Sequence, residues 1–125
     1  MLESVVEGHL KQLEGFGFQV LKLRTPGYNG TKDRLILAPK WSPSPKGPIM
    51  VETKAPGKHE RALQVAVRDD WRARGCDVRD MCDTIEKVRD LCNTLLIEAV
   101  DRLPTTEAAK LPRHVIVGFA DASGY

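Results

Sequence analysis

A chain of 125 residues, 42% hydrophobic and 29% charged, is long enough to bury one real core and too short for two comfortable domains. That balance excludes disordered and fibrous classes, and a formal net charge of +2 does not by itself point to a nucleic-acid partner. Cys76, Cys82 and Cys92 form no CxxC and have no histidine at zinc-ligand spacing, so they read as reduced, mostly buried thiols of a cytoplasmic protein. No apolar run approaches the length of a membrane span, and the N-terminus carries early acids in place of a basic-then-apolar leader. No membrane association is expected, and the protein should stay where it is made.

In chain order, Leu2, Val5, Val6, Leu10 and Leu13 recur at helical spacing and predict an amphipathic helix from Leu2 to about Glu14, ended by Gly15. Glu3 shares nearly the same stripe as Leu10, while Glu7 and Glu14 read as solvent-facing acids. The run from Phe16 to Leu23 alternates as a first strand, with Phe18, Val20 and Lys22 on one face. A turn-rich loop follows, in which Asn29-Gly30 suits positive backbone torsions and Tyr28 is either packed on its own strand or offered to a base.

Asp33 then opens the apolar run Leu35-Ile36-Leu37, and Ile49-Met50-Val51 closes on Glu52-Thr53-Lys54. If both are strands, Glu52 and Lys54 share a face, and neighbouring strands bring Asp33 beside Glu52. Between them the proline-rich stretch 38–48 reads as a stiff arm, with Trp41 either covering the core edge or contacting a partner. Helices are predicted over Arg61–Arg74, with Leu63, Val67 and Trp71 on one face, and from a cap at Asp83 or Thr84, with Ile85, Val88, Leu91, Leu95 and Leu96 buried. A short strand at residues 76–81 lies between them. The order helix, three strands, helix, strand, helix predicts an α/β sandwich around a small mixed sheet. Residues 1–100 make the domain, and 101–125 extend it, with His114–Ala120 as an edge strand or dimer contact.

Two carboxylates and an ammonium at two strand ends suit metal-assisted phosphodiester hydrolysis. Hard divalent cations take oxygen ligands, and bound metal acidifies water and screens the charge that builds on phosphorus. Taken alone the pattern is weak. A turn cap at Asp33 and a solvated Glu52/Lys54 pair would account for it equally well.

Read with its flanks, Asp33-Arg34-Leu35…Glu52-Thr53-Lys54-Ala55-Pro56-Gly57-Lys58…Leu63-Gln64 resembles the VRR-NUC family of PD-(D/E)xK nucleases, in a stand-alone, virus-type-like form. The resemblance runs from Leu2-Glu3 to about Leu91. It departs at Lys32, where the family has proline, and at Arg61, where a Ser or Thr cap is expected. The resemblance implies a restriction-endonuclease-like fold and a Mg2+- or Mn2+-dependent endonuclease. In it Asp33, Glu52 and the Thr53 carbonyl hold metal, Glu3 is a third acid, Lys54 handles the attacking water and Gln64 positions phosphate or water. Lys22, Lys58 and Arg61 are candidate DNA contacts, within a basic surround that also draws on Lys54, Arg68, Arg72 and Arg74. It further implies cleavage of branched DNA, Holliday junctions included, by a homodimer in the cytoplasm, the host's if the chain is virus-encoded. A general nuclease or nickase is the alternative within the enzyme class. Outside it stands a non-catalytic nucleic-acid-binding module, against which the clustered acids argue, since a polyanion repels them.

Overall fold

A computed structural model of the chain describes residues 3–22, 33–52, 62–80 and 82–124, with 3–6, 33 and 62–64 described at the backbone. The first helix, α1, spans Glu3–Leu10 and tightens into a 3-10 helix over Lys11–Phe16. It stops two residues later than expected, at Gly17 rather than Gly15. Gly17 sits at φ +98°, and a Cβ there would lie 3.0 Å from Trp41 Nε1, so both torsion and space select glycine. The Trp41 indole donates to the Phe16 carbonyl at 3.0 Å, which makes it a cover for the core edge.

Four strands follow the alternation read from sequence: β1 Gln19–Lys22, β2 Asp33–Leu37, β3 Ile49–Glu52 and β4 Asp77–Val78. They lie in that order, β2 antiparallel to both β1 and β3, and β4 parallel to β3. Val20, Ile36, Ile49 and Val51 turn one face inward, where Leu10, Leu13, Val88, Leu95, Leu96 and Ala99 complete the core. The parallel crossover between β3 and β4 carries α2, Ala62–Ala73. Helix α3, Ile85–Asp101, starts at Thr84, whose hydroxyl accepts the Lys87 N–H at 3.1 Å. The proline-rich arm is pinned to the other end of α3. Buried Ser42 donates to the Ala99 carbonyl at 2.6 Å, and Arg102 donates to the Ser42 carbonyl at 2.7 Å.

The C-terminal segment corrects the expectation of an edge strand. Residues 113–123 form helix α5, Arg113–Ser123, after the short α4, Thr105–Ala108. A strand would place Val115 and Val117 on one side. Instead Val115 is 1% exposed and Val117 49%, and Val115, Phe119 and Ala122 follow helical spacing onto the core. Pro112 precedes the helix where a missing N–H costs nothing, and packing on α3 overrides the β preference of Val115-Ile116-Val117. His114 serves this docking, its Nε2 lying 3.0 Å from the Gly15 carbonyl and its ring stacked on Phe16.

All three cysteines are free thiols, and Cys76 is exposed. Burial pushes the Cys82 thiol up to about 12 and the Cys92 thiol up to about 11. An unfolded thiol ionises near 8.5, so the stability these groups contribute is complete below that pH and is lost as pH rises towards 11 to 12. The expected slope is up to about 1.4 kcal/mol per pH unit for each thiol. Urea unfolding at pH 8 and pH 10 should show the loss, and Cys82→Ala/Cys92→Ala should flatten it. An unchanged slope in that variant would assign the alkaline loss to other groups.

Candidate active site

The β2–β3 register sets Asp33 directly opposite Glu52, and Arg34 opposite Val51. Opposed positions of an antiparallel pair belong to one face of the sheet, with Cβ atoms about 5 Å apart. The two acids therefore occupy adjacent places where the sequence reading set them, at the end of the sheet away from the proline-rich arm. Glu52 is half-buried, and its carbonyl accepts the Cys82 N–H at 2.8 Å, as the Met50 carbonyl accepts that of Arg79 at 2.8 Å. These bonds carry the β3–β4 ladder up to the residue that bears the second acid. Arg79 in turn is forked onto Glu98 of α3 at 2.7 and 2.9 Å and onto Asp77 at 2.8 Å. The hydrogen bonds it donates to Glu98, then those to Asp77, raise its affinity for its proton, so this clamp stays charged.

Arg34 faces the other way. It is 5% exposed and pairs with Glu7 of α1, which corrects the reading of Glu7 as a solvent-facing acid. The pair fixes the level of α1 against the sheet. Since the 3-10 helix packs near the start of β1, residues before Glu7 lie towards the Asp33–Glu52 end. Glu3 lies four residues before Glu7, a rise of about 6 Å along α1. Gln64 lies in the first turn of α2. Lys22 is exposed at the end of β1, opposite Arg34. Lys32, Thr53, Lys54, Lys58 and Arg61 lie outside the described residues, as does Tyr28.

Two arginines of the expected basic surround are engaged in ion pairs. Arg72 is spent on β4 and its flank, donating to the Val78 carbonyl at 2.8 Å and to Asp80 at 2.9 Å, and Arg74 pairs with Asp70 at 3.0 Å. The Arg72 hydrogen bond holds the Asp80 carboxyl below its ordinary range. The sequence reading missed the Glu7–Arg34 pair and the Arg79 fork. The only signal for the first was an acid on the helix stripe adjoining an arginine within an apolar strand.

Comparison with family models and with curated proteins yields no match. Among solved structures, a VRR_NUC domain superposes with a TM-score of 0.56 at 26% sequence identity, covering 71% of this chain and 91% of that one. That likeness supports membership of the VRR-NUC family. Its mixed four-stranded sheet with flanking helices is the α/β, PD-(D/E)xK-like architecture expected from sequence, and the VRR_NUC neighbour supports a nuclease domain. The residue types at the Asp33–Glu52 end suit a hard divalent cation, because two acids at opposed backbone positions are oxygen donors. Among the described residues no three His, Cys, Asp or Glu side chains converge on a metal-sized site. The expected VRR-NUC set also draws on Glu3 and Asp33, described at the backbone, and on Thr53. No helix among the described residues is long and apolar enough to cross a membrane.

Proposed function

We propose that the protein is a divalent-metal-dependent endodeoxyribonuclease that acts on branched DNA as a homodimer in the cytoplasm. The observation that carries this reading is the direct opposition of Asp33 and Glu52 at one end of the sheet. Asp33, Glu52 and the Thr53 carbonyl would hold Mg2+ or Mn2+, with Glu3 supporting them from α1. When bound, the metal acidifies water and screens the phosphate's negative charge. Lys54, two residues past Glu52, orients the attacking water, assists the loss of its proton to solvent, or stabilises the pentavalent phosphate. Water's oxygen bonds to phosphorus, one bridging P–O bond breaks, and the leaving oxygen is protonated from solvent. Gln64, in the first turn of α2, positions the phosphate or the water, and Lys22, Lys58 and Arg61 contact neighbouring phosphates.

Branched DNA and the homodimer follow from the family resemblance. Two copies facing two strands would give paired cuts. Ile116 and Val117, 41% and 49% exposed on the outer side of α5, are the apolar residues this reading offers for contact between copies.

The test is cleavage of a labelled four-way junction beside linear duplex and single strand, with Mg2+, Mn2+ or chelator, on protein whose mass in solution is measured. Paired cuts in the junction, lost in chelator and made by a dimer, are expected. Cleavage of every substrate would replace the junction reading with that of a general nuclease. Tight binding with no cleavage under either metal would leave a non-catalytic module.

A further inference from the structure

We infer that the cleft between β1 and the junction of α1 with the 3-10 helix is a binding site for a backbone phosphate of the cleaved DNA strand, held by Lys11 and Lys22. The inference rests on the nuclease reading and adds to it a path for the strand. The cleft has a volume of about 350 Å³ and is lined by Glu7, Gly8, Lys11, Val20, Leu21, Lys22 and Arg34. That volume is at the small end of ligand cavities, about 300 to 1,000 Å³, which suits a single sugar-phosphate unit.

Its charge is uneven in a telling way. Among the described lining residues three cations meet one carboxylate, and that carboxylate, Glu7, is already engaged with Arg34 at the buried side. Lys22 has no ion-pair partner among the described residues. Lys11 has only Glu14 at 3.9 Å, both side chains well exposed at 70% and 48%, a contact that solvent screens to little value. Two ammonium groups thus line one cavity with little to neutralise them, the arrangement a polyanion stabilises by releasing its counterions. Val20 and Leu21 give the cleft an apolar wall, and Leu21, 39% exposed, is one of few large apolar side chains left at the surface. A deoxyribose would cover it.

Position ties the cleft to the acids. Lys22 stands opposite Arg34, and Arg34 follows Asp33, so the cleft lies one residue along β2 from the Asp33–Glu52 pair, on the other face of the sheet and reached around edge strand β1. A strand whose scissile phosphate lies at the acids would lead a flanking phosphate past this edge. Phosphate contacts of this kind set register and orientation and carry no sequence preference.

The experiment is DNA binding by fluorescence anisotropy in chelator, across a salt titration, for wild type, Lys11→Gln/Lys22→Gln and a control, Lys46→Gln, in the arm at the opposite end of the sheet. Inorganic phosphate is a competitor in a separate arm. The double variant should lower the slope of log affinity against log salt by about 1, weaken binding about tenfold on every DNA sequence, and melt as wild type does. The control should keep the wild-type slope. A double variant with the wild-type slope, or with no greater loss than the control, overturns the cleft assignment even if the wild type cleaves DNA. DNA binding with the expected slope change but no cleavage under any metal keeps the cleft and overturns the nuclease reading. Competition by millimolar phosphate as strong as by DNA would make the cleft a free-anion site and overturn its assignment to the strand.

Discussion

Replacing Glu52 by glutamine should lower metal-dependent DNA cleavage by about 100- to 1,000-fold, the several kcal/mol that a catalytic cation's charge stabilisation supplies. Glutamine keeps the volume and one oxygen of glutamate but removes the negative charge that would attract the cation. The backbone it sits on is held independently, since the Glu52 carbonyl accepts the Cys82 N–H, so the strand end should stay in place. DNA binding in chelator should rise or stay level, because a carboxylate that repels phosphate has gone. Lys54→Ala tests the companion role, with cleavage lost and binding largely kept. Single-turnover rates at saturating DNA decide the matter. If Glu52→Gln and Lys54→Ala both cleave at the wild-type rate, catalysis is not centred on this strand end.

The second large effect concerns stability. Glu7→Ala should destabilise the protein by about 2 to 3 kcal/mol, somewhat below the usual cost of breaking a buried ion pair, because the Glu7 side chain is 27% exposed while that of Arg34 is 7%. Much of the cost is the guanidinium left in a poorly solvated place. The double variant Glu7→Leu/Arg34→Met, which removes both charges and fills the space, should recover most of it. Urea unfolding gives the reading, as a shifted midpoint with an unchanged slope. A loss below about 0.5 kcal/mol in Glu7→Ala, the range of an ordinary surface substitution, would mean that the pair contributes nothing to docking α1. Since Arg34 adjoins Asp33, the same variant should also slow cleavage, which the strand-end contacts of Glu52 alone would not predict.

The sheet was legible because its strands announce themselves at both ends. Asp33 opens an apolar run, Glu52 closes another, and the prolines between them forbid any ladder but the one observed. Opposition of the acids then followed from topology. Helix α3 was equally plain, with Thr84 as its cap and apolar residues at steady spacing. Arg34 was not, because an arginine inside a strand is ordinarily exposed, and only the helix packed over it reveals that it is buried. Helix α5 was misread for a different reason. Three consecutive β-branched residues speak for a strand locally, and the face that decides the matter is supplied by α3 and Phe16, far away in the chain. Gly15 and Gly17 are indistinguishable as stop signals until Trp41 is seen beside the second. Of the proposed site residues, sequence placed Asp33 and Glu52 by their strands, whereas Lys54, Lys58 and Arg61 fall in a stretch rich in proline, glycine and charge whose pattern names residue types but no geometry.

The bond from the Cys82 N–H to the Glu52 carbonyl also sets a time. A chain leaving the ribosome has both acids exposed long before the segment that clamps the second of them has been made. At ordinary synthesis rates the 30 residues from Glu52 to Cys82 take roughly two to six seconds, and β3 can gain its parallel neighbour only afterwards. The strand end that bears the two acids is thus completed only when the C-terminal half arrives, so its assembly is delayed by the topology of its own sheet.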